Sequence, residues 1–343
     1  MNARIDSDGA DPITYFIEDL TYHGKSERTL TAYERVLRRF EQFLIDRDAT
    51  PATASQRDCM AFVHSLRDSL ARSTVASYAS YVHRFYAYMT QTGELDTNPM
   101  TLVMAEMDES INTDPTRREI SIEEMRTFLD EITHPLERTV MLLLLKTGLR
   151  VGECCNLDLR DLNLDAPAVR AEYDYTHRPQ LDGRTDTLFI SNDIAAGQTV
   201  NGEERTASNK RKRVTMIPID TELKEALIRW LAIRPDTPSS AEPLFGDTGR
   251  SWGHRLEPSQ VRAFVRKHAK QNGWYRVGGG ASENVTPHYF RHFFTTYLRD
   301  RTGDRGIVKY LRGDVAQDII DTYTHDWGNR VRTVYESNIY SLC

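Results

Sequence analysis

From Pro12 to about Met89, apolar residues recur every three or four positions, a period that helices satisfy and strands do not. Ile13, Phe16, Ile17 and Leu20 open the series, and Val36, Leu37, Phe40, Phe43 and Leu44 follow. Ala61, Phe62 and Leu66, then Tyr78, Val82, Phe85 and Met89, complete it. Residues at this spacing share one helical face, so the four stripes predict a small four-helix domain over residues 11–100. Thr29, Thr50 and Ser73 stand near the expected helix starts as N-caps. Asn98-Pro99 ends the pattern, and the polar stretch that follows makes residues 101–118 an expected linker. The polar first ten or so residues read as disordered.

The remainder, 119–343, has a different texture. Ser121 followed by Glu123-Glu124 starts a helix with acid in its first turn. The apolar run Val140 to Leu145 is a core helix leading into Thr147-Gly148-Leu149-Arg150. It falls well short of the roughly 20 residues that span a bilayer. Between Leu162 and Ile219 lie β-like pieces, Thr187–Ile190 and Arg213–Ile219 among them, separated by Gly, Asn and Asp turn residues. Beyond Glu222 the pattern is helical again, broken by Gly278-Gly279-Gly280, which lacks the form of a nucleotide loop. The expected fold is therefore mostly α with a small antiparallel β-sheet (α+β).

At 343 residues the chain is long enough for two domains, and 39% hydrophobic with 27% charged residues is an ordinary globular composition. Its four cysteines show neither zinc spacing nor CxxC, and no signal peptide leads the chain, so a reduced, cytoplasmic protein is expected. A net charge of −6 argues mildly against nucleic acid. Phosphate is neutralised locally, however, and basic clusters occur at Lys210-Arg211-Lys212-Arg213 and from Arg262 to Arg276.

Certain polar residues carry more specific information. Arg150 follows the Thr-Gly turn, and Glu153 lies one helical step beyond it. His288 and Arg291 are spaced i, i+3 in Pro287-His288-Tyr289-Phe290-Arg291, with Thr286 as the expected N-cap and Pro287 in the first turn. Either arginine alone is most simply a surface salt bridge. Their settings, TGLRVGE, NKRKRVTMIP, PHYFRH and DTYTH, together resemble those of the tyrosine recombinase (phage integrase) family over nearly the whole chain. The stretch SERTLTAYERVLRRFEQFL is similar to that family's core-binding domain, which grips one side of a DNA duplex.

The resemblance implies an N-terminal core-binding domain, an integrase-type catalytic domain, and breakage and rejoining of DNA strands. Arg150 and Arg291 would clamp the phosphate, since a guanidinium fork pairs two phosphate oxygens and keeps its charge. Glu153 would support Arg150. His288 would serve as a base for a tyrosine hydroxyl. Lys210, eight residues before Pro218, would protonate the leaving 5′ oxygen, with Lys212 as its rival. Tyr323 would be the nucleophile, forming a 3′-phosphotyrosine bond; Tyr335 and Tyr340 are less well placed. His325 is assigned a structural part. Lys212, Arg213, Arg262, Arg266 and Lys267 are the candidate DNA-backbone contacts.

One position departs from the pattern. Where the family usually has Leu-Gly-His nine residues before the nucleophile, this chain has Leu311-Arg312-Gly313-Asp314. An ionised aspartate donates no hydrogen bond and repels a phosphate. Orienting His288, orienting a clamp arginine and accepting the tyrosine proton are its open roles, with Arg312 or Lys309 replacing the lost donor. Double-stranded DNA and a homo-oligomer of two to four subunits are the implied partners, with no metal, cofactor or membrane. The alternatives are a catalytically inactive integrase-like DNA-binding protein, suggested by Asp314, and a type IB topoisomerase-like relaxing enzyme.

Overall fold

In the computed structural model, which describes residues 11–110, 116–173, 175–314 and 327–343, the chain divides into two compact units, 1–115 and 116–343. The first unit contains α1 (Pro12–Tyr22), α2 (Glu27–Ile45), α3 (Gln56–Arg67) and α4 (Arg72–Gln91). These four expected helices are joined by a short fifth, α5 (Thr101–Glu106), inside the stretch expected to be linker. Its Val103 is buried in the same core.

The apolar stripes converge as their period requires. Phe16 packs edge-on against Tyr33, Phe85 and Tyr88 at centroid distances of 5.6, 5.5 and 5.4 Å. Phe40 does the same with Phe62 at 4.9 Å.

The expected caps are displaced by a few residues. Ser26, not Thr29, accepts the first-turn amide of α2, with Thr29 hydrogen-bonded back to it at 2.9 Å. Ser55, not Thr50, caps α3 in a reciprocal box with Asp58. Ser73 sits inside α4, whose N-cap is Ala71. In each case a hydroxyl inside or near the first turn was a plausible competitor, and local geometry chose another start.

The second unit runs α6 (Ile122–Asp130), α7 (Pro135–Thr147), α8 (Val151–Cys155), β1 (Leu162–Asn163) and α9 (Pro167–Tyr173). β2 (Thr187–Ile190), β3 (Thr199–Val200), β4 (Glu203–Glu204) and β5 (Thr215–Pro218) follow. Then come α10 (Thr221–Leu231), α11 (Pro258–Gln271), α12 (Pro287–Thr302), α13 (Arg305–Arg312) and α14 (Trp327–Asn338). Ser121 and Glu124 form the capping box that starts α6.

The central sheet has order β1-β2-β5 and is antiparallel, with Leu188 opposite Leu162 on one side and Ile217 on the other. The long β-region resolves into a separate β3-β4 hairpin set between β2 and β5. Arg205, just past that hairpin, is buried and pairs with Asp158, which also binds Arg255. α7 is the core helix, buried from Thr139 to Thr147. Its one buried cation, Lys146, has no exposed side-chain surface and is compensated by Asp220, Glu222 and the Tyr340 carbonyl. No described helix is long and apolar enough to cross a membrane.

Candidate active site

α7 ends because Gly148 adopts φ +62°, the left-handed conformation that glycine tolerates without penalty. A β-carbon there would also lie 2.3 Å from the Phe294 ring. The turn frees the Gly148 carbonyl to accept a hydrogen bond from Arg291 (2.6 Å) and places Arg150 at the N-cap of α8.

Glu153 then binds Arg150 twice. It accepts from the backbone N–H at 2.9 Å and from the guanidinium at 3.0 Å. Behind it lies Arg211, which hydrogen-bonds both Glu153 oxygens at 3.3 and 3.2 Å and the Leu311 carbonyl at 3.1 Å. Neither Glu153 nor Arg211 has exposed side-chain surface. Desolvation opposes the Glu153 charge, but Arg211 and Arg150 overcome it and hold the carboxyl below its ordinary range.

α12 supplies the second arginine. Pro287 occupies its first turn and Thr286 the N-cap, although the Thr286 hydroxyl makes no cap hydrogen bond. His288 and Arg291 follow one turn apart. Arg291 is buried, and its guanidinium binds the Gly148 and Arg312 carbonyls and the Asp314 carboxylate. Desolvation first, then repulsion from Arg150 and Arg312, pushes its pKa down to about 9, so it is cationic at neutral pH. The His288 side chain is reached by solvent. Partial desolvation and the surrounding Arg117, Arg291, Arg312 and Arg150 nevertheless press its pKa below the ordinary 6.5.

Asp314 stands at the meeting point. Its Oδ1 accepts from Arg150 at 3.1 Å and from Arg291 at 3.1 Å, and Oδ2 lies 3.0 Å from Arg312 Nε. Of the roles left open by the sequence, the contacts match orientation of the two arginines, Arg150 and Arg291. Gly313, at φ +70°, makes the bend that aims Asp314 inward. It also gives Arg211 room, for a β-carbon there would sit 2.5 Å from Arg211 Cγ.

The sequence reading missed Arg211 as a site residue. It is one of four consecutive basic residues, and only their alternation, with Lys210 and Lys212 exposed and Arg211 buried, singles it out. Lys210 lies in the loop ahead of β5 and not on a strand. The Lys212 amide approaches the Gly313 carbonyl at 3.4 Å.

The other basic candidates are dispersed. Arg213 stacks on the Tyr310 ring at 4.4 Å, Lys267 is paired with Glu137 at 2.9 Å, and Arg262 and Arg266 are exposed on α11. Tyr323 and His325 lie outside the described residues. Tyr335 and Tyr340 are fully buried, and their hydroxyls donate to the Lys146 and Leu145 carbonyls. Burial raises both pKa values well above the phenol range, which disqualifies them as nucleophiles. No cluster of His, Cys, Asp and Glu able to hold a metal occurs among the described residues.

Comparison with known proteins places this architecture. The Phage integrase family matches residues 118–330, and the Phage integrase N-terminal SAM-like domain matches residues 13–93. The tyrosine recombinase XerA of Pyrococcus horikoshii is 24% identical, over 98% of this chain and 96% of its own. The Tn1549 transposon integrase, solved with a circular intermediate DNA, superposes with a TM-score of 0.66 at 18% identity, covering 95% of this chain and 99% of that one. A lambda integrase dimer bound to a core site gives a TM-score of 0.62 at 16% identity, covering 94% of this chain and 76% of that one. With family models spanning both units, the chain belongs to the phage integrase family.

Proposed function

We propose that this protein is a site-specific tyrosine recombinase that cleaves and rejoins DNA strands through a 3′-phosphotyrosine intermediate. The observation that carries this reading is the convergence of Arg150 and Arg291, from two different helices, on a single anion-sized position. Two guanidinium groups held in that way are built to receive a phosphodiester and to stabilise charge on its non-bridging oxygens.

His288, whose pKa is pressed below the ordinary value by desolvation and then by its cationic neighbours, accepts the Tyr323 phenol proton as the oxygen attacks phosphorus. The bond from phosphorus to the 5′ oxygen breaks, and Lys210 returns a proton to that oxygen. Reversal with a different 5′ hydroxyl rejoins the strands, and the phosphotyrosine bond conserves the energy, so no nucleotide cofactor is consumed. Glu153 and Arg211 hold Arg150 in place from behind. Exposed Lys212, Arg262 and Arg266, with Arg213 and Lys267, would follow the backbone of a bound duplex. The relatives solved as a dimer on DNA and as a tetramer on a Holliday junction support assembly of two to four copies on DNA. Chromosomal or plasmid DNA in the cytoplasm is the substrate this reading implies.

The test is a nicked duplex bearing a sequence selected by binding from random DNA. The expected result is a denaturant-resistant protein–DNA adduct that disappears in Tyr323→Phe. A DNA that is bound without any adduct would leave a DNA-binding protein and no enzyme.

A further inference from the structure

The three guanidinium groups of Arg150, Arg291 and Arg312 already surround an anion, and that anion is part of the protein. One carboxylate oxygen is shared by Arg150 and Arg291 at 3.1 Å each, the geometry in which two clamps would share a phosphate oxygen. We propose that the Asp314 carboxylate is a resident counter-anion occupying the phosphate seat, so that DNA binding at this site is an exchange of one anion for another. The proposal rests on reading Arg150 and Arg291 as the phosphate clamp.

Three features make the exchange workable. The seat is closed behind and open in front, for the Arg291 side chain is 3% exposed whereas Arg150 and Asp314 are 31% and 30% exposed. Asp314 follows Gly313, the left-handed C-cap of α13, so the carboxylate is carried by one short side chain beyond the helix and is not part of either arginine's helix. The third donor is not spent on Asp314, because Arg312 Nε is buried and makes no hydrogen bond despite its 3.0 Å approach. An arriving phosphate has more oxygens than a carboxylate and can use that donor as well.

Two anions side by side repel, so phosphate and an inward-facing Asp314 do not share the three arginines. The exchange has a functional consequence. Empty clamps would attract any anion, whereas an occupied seat yields only to a ligand that brings several oxygens and further contacts, as duplex DNA does.

Titration of inorganic phosphate into the full-length protein, followed by calorimetry, tests this directly. Asp314→Asn and Asp314→Ser remove the competing charge and should bind phosphate about tenfold more tightly than the wild type, the partial exposure of the pair having been allowed for. Asp314→Glu keeps the charge and should bind as weakly as the wild type. A residue that merely scaffolds the arginines predicts the opposite sign, because its loss would scatter them. Thermal unfolding of each variant confirms the fold, and the two neutral variants guard against one failing to fold. Unchanged or weaker phosphate binding in both neutral variants, or tightening in Asp314→Glu as well, would overturn the exchange. That outcome beside a normal Tyr323 adduct leaves the recombinase reading intact. Tightening in a protein that forms no adduct supports the exchange and withdraws the strand-transfer reading alone.

Discussion

The two units of this chain solve the problem of burial in opposite ways. Among the described residues, the first unit buries no charged residue, and its core is a lattice of aromatic and aliphatic side chains around Phe16, Phe40 and Phe85. The second unit buries Lys146, Glu153, Asp158, Asp161, Arg205, Arg211 and Arg291. Apolar burial is non-directional and forgiving, so it suits a unit whose task is to hold a shape. Buried ion pairs are costly to desolvate and return that cost only when the geometry is right. They are found where the position of one guanidinium must be specified, and the Glu153–Arg211–Arg150 chain specifies Arg150.

The contrast can be broken most severely at Asp158. Its removal in Asp158→Ala takes away the close carboxylate partner of the buried Arg205, leaving Glu203 at 3.7 Å, while Arg255 keeps Glu203 at 2.6 Å. The second unit should lose about 3–5 kcal/mol in chemical denaturation while the first unit's transition stays in place. A matched truncation on the other side, Leu37→Ala, should cost about 3 kcal/mol in the first unit, with a denaturation midpoint far less sensitive to salt. If both variants showed equal salt sensitivity, the distinction between the two cores would be lost.

The pH response should also fall on the second unit. Because the folded state presses the His288 pKa below 6.5, the neutral form persists to lower pH than in a free histidine. Adduct formation should therefore hold steady down through pH 6.5 and decline only below it. Stability is affected with the same sign: acidification past 6.5 favours the unfolded chain, which binds this proton more readily. A cleavage profile whose acid limb lies above 6.5 would contradict the proposed role. The smallest effect is expected from Arg47→Ala, which breaks a 3.1 Å pair with Asp58 whose side chains are 41% and 19% exposed. The change should stay under about 1 kcal/mol.

Much of this arrangement is legible in the sequence because it follows from spacing. Thr187–Ile190 reads as a strand by composition and is one, and His288 and Arg291 lie one turn apart because Pro287 starts their helix. What was not legible depends on contacts between distant segments. Nothing local says that Arg211, out of four basic neighbours, turns inward, since its partners Glu153 and Leu311 come from elsewhere in the chain. Nor does the Leu311-Arg312-Gly313-Asp314 segment announce that its aspartate meets three arginines. Charge repulsion alone suggested an obstacle to phosphate, and only the fold shows the carboxylate seated among Arg150, Arg291 and Arg312. The starts of α2 and α3 were misplaced for a simpler reason, because several hydroxyls compete for each first turn and the sequence ranks them poorly, while α4 starts at Ala71 with no side-chain cap at all.

The shell around Lys146 also bears on how the protein is made. The first unit has all of its core within the first 115 residues and can close while synthesis continues. The second has a buried cation in the last turn of α7 whose ligands include the Tyr340 carbonyl and Glu222, itself bound to the Leu342 amide. Its core therefore waits for residues near position 340. A nascent chain lacking them carries the Thr147–Arg150 turn on a helix with an incompletely satisfied charge, so the arrangement around Arg150 assembles only once residues near position 340 have been made.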